Sequence, residues 1–419
     1  MTDLQEQIAV DISTLTTEKK KLVISFFSNA PWCNTGYGVQ VRLNYPRIKA
    51  LGYELSITAF YGLQGSRMWT ADHTCVYPLG KHLYGMDVIG AHAEHAGANV
   101  VITLMDAWVV QSENIKMPWY PYFPIDTEPM SFKVFEEVKK ATKGIVMSKF
   151  GLEQAKAVGL DVYYVPHSVE TKVFKPIDRN KARKRLGLPK DKFIVGMVAA
   201  NKGIPPRKSF YEQIAAFKAF NTVHPDSLLY MHTEDGLIGA DMANLVNYCR
   251  VMGLKVGYVD CQPLADDIQV AFVDQYQYTL GIPDVYMVDV YNALDVMILC
   301  SLGEGFGIPL IEAQACGCPV ITGDWTAMGE LVFSGWKIPK SEAFPVFHPV
   351  FEAFQWRVME SAVVERLMRA YEMKDNQDYR KRARDGALAY DCDKVAEKYW
   401  KPVLADIENR LNEPVVVTE

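Results

Sequence analysis

Long apolar runs are missing from this 419-residue chain. None approaches the ~18–20 residues that a bilayer-spanning helix needs, so a membrane-spanning protein is excluded. A basic excess is missing too. Lys and Arg number 44 against 50 Asp and Glu, for a net charge of −6 at pH 7. A protein that binds nucleic acid through bulk electrostatics carries the opposite balance. The 8 cysteines, at 33, 75, 249, 261, 300, 316, 318 and 392, contain no CxxC. That spacing fits neither a zinc ribbon nor a redox pair. Scattered thiols without a disulfide framework suit a reducing cytoplasm, which is the expected location. Residues 1–21 are polar and lack an apolar h-region, so they do not read as a secretory signal. There is no GxSxG nucleophile elbow, and no repeat at the ~20–50-residue periods of solenoids.

What is present is ordinary in amount and informative in order. Hydrophobic residues make up 49% and charged residues 22%, as in folded proteins generally. At roughly 100–200 residues per domain, the length predicts two or three domains. Strand-length apolar runs fall at 22–28 (LVISFFS), 54–60, 99–104 (NVVITL), 120–124, 144–148 and 161–165. A charged, helix-prone stretch follows at 178–192 (DRNKARKRLGLPKDK). It reads as a solvated linker helix, and a domain boundary is expected there. The alternation resumes with strands at 193–199 (FIVGMVA), 227–233 (SLLYMHT), 256–259, 295–300 (DVMILC) and 319–322 (PVIT), and helices at 209–221, 242–252, 284–294 and 310–316. Beyond 335 no further strand is expected, only helices at 359–373, 376–389 and 394–412. Strands alternating with helices predict parallel sheets buried on both faces. The expected class is α/β, with two Rossmann-like doubly wound domains facing a central cleft. They span residues 1–178 and 179–393, and a helical tail, 394–419, crosses back to the first domain.

The segment 300–330 (CSLGEGFGIPLIEAQACGCPVITGDWTAMGE) carries the most chemistry. A strand ends at Cys300, a glycine-bearing turn follows, and a helix begins near Pro309, a residue suited to a helix's first turn. Gly305 and Gly307 permit unusual backbone angles and close approach of a ligand to main-chain N–H groups. The helix N-terminus then presents free donors and the positive dipole end, a site suited to a diphosphate. Glu304 and Glu312 flank the loop with seven residues between them. Glu304 can meet the hydroxyls of a group bound in the loop, and Glu312, one turn into the helix, can accept from vicinal ribose hydroxyls.

The string EGFGIPLIEAQACGCPVI resembles the E-x7-E signature of retaining, nucleotide-sugar-dependent glycosyltransferases of the GT-B fold, in particular glycosyltransferase family 4. The preceding VDVYNALDVMILC and the interdomain VPHSVETKVFKP resemble the same family, with His167 where an Asn is usual. The resemblance implies that Glu304 contacts the donor sugar and Glu312 the ribose, with Phe306, Gly307 and Ile308 near sugar and phosphate. In VGMVAANKGIPPRKSF it places Arg207 and Lys208 on the donor diphosphate, with Lys202 as the competing assignment. In SNAPWCNTGYGVQVRL it makes Gly36 and Gly38 the glycine loop facing the donor. This stretch is not GxGxxG, because Val41 stands at the last position, which disfavours a nicotinamide-dependent dehydrogenase.

The family's usual His at the end of a first-domain strand has no counterpart in PWYPYFPIDTEP. Asp126 is the substitute candidate for an acceptor-side base, with Asp106 in TLMDAWV as the second. Metal signals are weak. His92 and His95 lack an evident third ligand, and Asp391-Cys392-Asp393 reads as a helix cap. The resemblance therefore implies metal-independent sugar transfer without a cofactor, from a UDP- or GDP-sugar to a hydroxyl of a glycan, lipid-linked sugar or protein. A nucleic-acid acceptor is disfavoured by the charge. An epimerase or phosphorylase of the same fold and a non-catalytic nucleotide-sugar binder remain alternatives.

Overall fold

The computed structural model describes residues 19–238 and 241–413. The expectation for residues 1–18, and the part of the tail at 414–419, lie outside the described residues. Strands β1 (Val23–Asn29), β2 (Glu54–Tyr61), β3 (Met68–Trp69), β4 (Cys75–Tyr77), β5 (Val100–Leu104), β6 (Trp119–Phe123), β7 (Gly144–Val146) and β8 (Val162–Tyr164) form one sheet. Their order is β3-β4-β2-β1-β5-β6-β7-β8. Only the β3–β4 pairing is antiparallel. Phe26 on β1 lies level with Ile57 on one side and Ile102 on the other, all three buried. That is the continuous apolar register expected of a sheet covered on both faces.

The second sheet contains β9 (Phe193–Val198), β10 (Ser227–His232), β11 (Val256–Val259), β12 (Val270–Val273), β13 (Val296–Leu299), β14 (Val320–Gly323) and β15 (Gly335–Ile338), in the order β11-β12-β10-β9-β13-β14-β15. All its pairings are parallel. Strands β16 (Ala343–His348) and β17 (Ala353–Val358) form a separate antiparallel hairpin. Strands therefore continue past residue 335, contrary to expectation, and β12 was not anticipated either. Pro345 in β16 and the four-residue length of β12 and β15 hide the signal. Proline is tolerated here because a two-stranded hairpin leaves edge N–H positions that need no partner.

Each sheet reverses its strand order once. In the first, the chain winds from β1 toward β2 and later returns to place β5 on β1's other side. In the second, β10 and β13 flank β9 in the same way. Loops leaving the carboxyl ends of such neighbours diverge and open a crevice, the preferred ligand position in open α/β sheets.

The tail helix Lys401–Leu411, entered through a π-turn at Ala396–Trp400, returns to the first domain. Trp400 is fully buried, packs edge-on against Tyr122 at 5.4 Å, and donates its indole N–H to Asn44. Arg47 pairs with Glu170 and Asp393, which ties the tail to the helix Gly36–Ala50.

Candidate active site

The loops after β9 and β13 leave adjacent strands and meet. Arg207 and Lys208 come from the first, Glu304 from the second. Glu304 is 8% exposed. Its carboxylate accepts from Lys208 Nζ and from Ser301 Oγ at 2.6 Å, with Arg207 Nη1 3.9 Å away. Burial would raise its carboxyl pKa, but Lys208, Arg207 and Ser301 outweigh that and hold it below the usual value. Glu304 is therefore a fixed negative charge. Lys208 is lowered to about 8 by burial and by its neighbour Arg207, against the pull of Glu304. Arg207 donates to Gly303 O at 3.3 Å and turns half of its side chain to the cleft. Lys202 lies exposed in the same loop and forms none of these contacts.

The helix Ile308–Ala315 starts directly after the loop, capped by Gly307 at φ +117°, a conformation that favours glycine. Gly305 serves otherwise than expected. It is not in the left-handed region. A Cβ on it would lie 2.2 Å from Pro124 Cβ, and one on Gly303 would lie 2.1 Å from Asp126 O. These glycines admit the first domain's backbone. Phe306 turns its ring away from the loop, buried between His167 and Tyr390. Ile308 reaches across the cleft to Gly36, with Cδ1 3.4 Å from where a Cβ would stand. Gly38 packs inside its own loop, over Cys33 O. Its N–H bonds Thr35 Oγ1, which caps the helix Gly36–Ala50.

Glu312 lies one turn into the helix Ile308–Ala315, and its Oε2 accepts from Tyr291 OH at 2.7 Å. Burial pushes its carboxyl up to about 7, with Asp284 adding to the shift and Tyr291 and Arg42 opposing it. Arg42 of the first domain holds Asp284 of the second through one nitrogen, at 3.0 Å to both carboxylate oxygens.

Across the cleft, Asp106 follows β5 and Asp126 follows β6. Asp106 has surface open to the cleft, yet lies deep enough between the domains that burial, then Asp126, pushes it up to about 6. Asp126 is also raised, chiefly by burial and then by Glu304, while Arg207 and Lys208 oppose the shift. Tyr37 shares this field. Burial, Asp106 and Asp126 keep its hydroxyl protonated, a neutral donor. Asp106 stands at the N-cap of the short turn Ala107–Val109 but makes no side-chain cap bond there.

Sequence reasoning missed Tyr37, Ser301, Tyr291 and Gln355. Tyr37 sits between the two flagged glycines and could have been read with them. Ser301 lies three residues before Glu304 in the quoted loop and could also have been read there, whereas Tyr291 and Gln355 reach the site only through tertiary contacts. His167, buried and bonded to Tyr122 OH at 2.7 Å, belongs to the packing behind the loop. His92 and His95 bond to Pro78 O and Tyr77 OH, and Asp391 caps a helix through Asp393 N. All cysteines are unpaired and all but Cys261 are buried.

The chain is similar to known proteins in sequence and in fold. Residues 264–336, from before β12 to the start of β15, match the model of the group 1 glycosyl transferases. The chain resembles a D-inositol 3-phosphate glycosyltransferase of Acidothermus cellulolyticus, 32% identical over 162 residues. It also resembles a lipopolysaccharide core biosynthesis mannosyltransferase of Rhizobium meliloti, 32% identical over 173 residues. These matches take in 38% and 40% of this chain. They span 32% and 42% of the relatives, well under half of their length. Solved structures match almost end to end. Sucrose-phosphate synthase from Thermosynechococcus elongatus superposes with a TM-score of 0.70 at 16% identity, over 94% of this chain and 99% of that one. This is a GT-B chain resembling glycosyltransferase family 4. Anabaena HepE, solved with UDP-glucose, superposes on the GT-B chain with a TM-score of 0.64 at 15% identity, covering 92% and 100%. No helix among the described residues is long and apolar enough to cross a membrane.

Proposed function

We propose that the protein transfers a sugar, with retention, from a nucleoside diphosphate sugar to an acceptor hydroxyl. The reading rests above all on Glu304 held as a buried anion by Lys208 and Ser301 beside Arg207, at the mouth of the Ile308–Ala315 helix that carries Glu312. The donor domain, residues 179–393, would take the nucleotide, with Glu312 on the ribose diol. The N–H groups of Phe306, Gly307 and Ile308 would lie along the diphosphate. The acceptor domain, residues 1–178 with the returning tail 394–419, would bring Asp106 and Asp126 to the acceptor.

The charge to be stabilised sits on the departing diphosphate and the cationic sugar. Arg207 and Lys208 meet the first and Glu304 the second. Preorganised charges of this kind act without reorganisation during the reaction. Attack from the leaving-group face, with the leaving phosphate taking the acceptor proton, retains configuration. Asp126 orients the acceptor hydroxyl. Arg207 and Lys208 supply the positive charge that a divalent ion would otherwise bring, and the reading includes neither metal nor cofactor. UDP- or GDP-sugars are the expected donors, and a glycan, lipid-linked sugar or protein the acceptor, in the cytoplasm.

The test is to incubate the protein with UDP-, GDP- and ADP-sugars and cell-extract acceptors, with and without EDTA. Acceptor-dependent release of free nucleotide, unchanged by EDTA, with the product's anomeric signal matching the donor's, supports the reading. Isomerised donor, or binding without release, overturns it.

A further inference from the structure

The hairpin of β16 and β17 belongs to none of the motifs above, yet it touches both sides of the cleft. Its β17 strand is bonded to each domain through neighbouring residues. Trp356 N donates to Leu302 O at 2.9 Å, on the loop that carries Glu304. Phe354 N donates to Glu128 O at 3.1 Å, and Glu128 N returns a bond to Phe354 O at 3.0 Å. That closed pair is a one-residue antiparallel bridge from the segment after β6 to the hairpin, and Lys340 adds an ion pair to Glu128. Gln355 lies between these anchors. Side chains alternate along a strand, so it points the other way from Phe354 and Trp356, into the protein, at 4% exposure. Its Nε2 donates to Asp126 O at 3.3 Å and reaches Asp126 Oδ2 at 3.5 Å. Gly303 leaves room for this contact, because a Cβ there would lie 3.1 Å from the same Nε2.

We propose that this hairpin positions the acceptor-side carboxylate, with Gln355 as the positioning residue for Asp126. The donor-loop backbone, β17 and Asp126 form one hydrogen-bonded chain across the domain boundary. Asp126 is thereby placed only when the donor domain is docked, so the acceptor group and Glu304 come into register together. This deepens the transfer reading and rests on it. The other charged or titratable groups facing Asp126 are Arg207 and Lys208 from the loop after β9, Glu304 after β13, Asp106 after β5, and Tyr37 from the glycine loop.

The experiment follows the Asp126 carboxyl carbon by NMR through a pH titration, in the wild type, Gln355→Met and Gln355→Glu. Thermal unfolding checks that each variant is folded. Loss of a donor to the charged form favours the neutral one. The Asp126 midpoint is therefore expected to rise by about half a unit or more in Gln355→Met, and further in Gln355→Glu, which sets a second carboxylate beside it. Where turnover is measured, kcat falls about tenfold in Gln355→Met while the donor KM stays within about twofold, the pattern of an interaction absent from donor binding. An unchanged Asp126 midpoint in both folded variants, or an equal loss in kcat and donor affinity, overturns the proposal. A shifted midpoint without acceptor-dependent nucleotide release from any donor leaves the positioning standing and removes the transfer reading.

Discussion

The two walls of the cleft hold carboxylates in opposite ways. On the wall proposed for the donor, Glu304 is surrounded by cations and a hydroxyl and stays ionised. On the wall proposed for the acceptor, Asp106 and Asp126 share their surroundings with each other and with a protonated tyrosine. Burial pushes both toward the neutral form. The difference separates roles. A carboxylate whose pKa is driven down acts as fixed charge, whereas the charge of one driven up is decided by its neighbours and the pH. Glu312, raised to about 7, sits on the same wall as Glu304 but behaves like the opposite pair, because Tyr291 is its neutral partner and, among the described residues, no lysine pairs with it.

Breaking the donor wall should have the largest effect. Lys208→Met leaves Glu304 buried without its close cation. Removing one partner of a buried pair costs about 3–5 kcal/mol of stability, and nucleotide release should fall roughly 10²–10³-fold as a preorganised charge is lost. Thermal unfolding and a release assay measure the two losses. Breaking the acceptor wall should spare both the fold and donor binding. Asp126→Asn is expected to lower kcat about 10²-fold, with nucleotide affinity by calorimetry unchanged. An equal drop in nucleotide affinity would place Asp126 on the donor instead.

Glu312→Gln sharpens the contrast within the donor wall. It should raise the donor KM about tenfold, about 1.4 kcal/mol, at nearly constant kcat. The sign of its pH dependence follows from the raised carboxyl. Below about pH 7 the free protein carries the proton, and a ribose diol that donates to a carboxylate must displace it. UDP or GDP affinity should therefore fall about tenfold per pH unit below that value and level off above it. Calorimetry at several pH values should show this slope in the wild type and its loss in Glu312→Gln. The smallest effect belongs to Arg42→Ala, which removes a partly exposed interdomain pair with Asp284. Such pairs contribute at most about 1 kcal/mol, and a salt-sensitive twofold change in nucleotide affinity is the expected reading.

The donor wall was largely legible in the chain order. Its two glutamates and their loop lie within one strand-loop-helix unit, where spacing along the sequence translates directly into spacing in space: Glu304 in the turn, Gly307 at the cap, Pro309 in the first turn, Glu312 one turn on. Arg207 and Lys208 were separable from Lys202 only by resemblance until the structure set two of them against Glu304 and left the third exposed. The acceptor wall was half legible. Asp106 and Asp126 stood out as strand-end carboxylates, but nothing in the sequence said that they share a field with Tyr37. Gln355 gave no signal, because it lies on a strand whose proline-bearing partner reads as loop, and its side chain bonds Asp126, more than two hundred residues away.

The sequence by itself determined the alternation that makes two parallel sheets, the crossing-back tail with Trp400, and the chemistry of the loop between Glu304 and Glu312. These depend on local periodicity, turn residues and the missing side chains of glycine. Tertiary structure decided which cation pairs with Glu304, why Gly303 and Gly305 are glycines, and which carboxylates are held toward neutrality. Those outcomes depend on burial and on charges from distant segments, and the free energy of a buried charge is set by the groups that surround it in space.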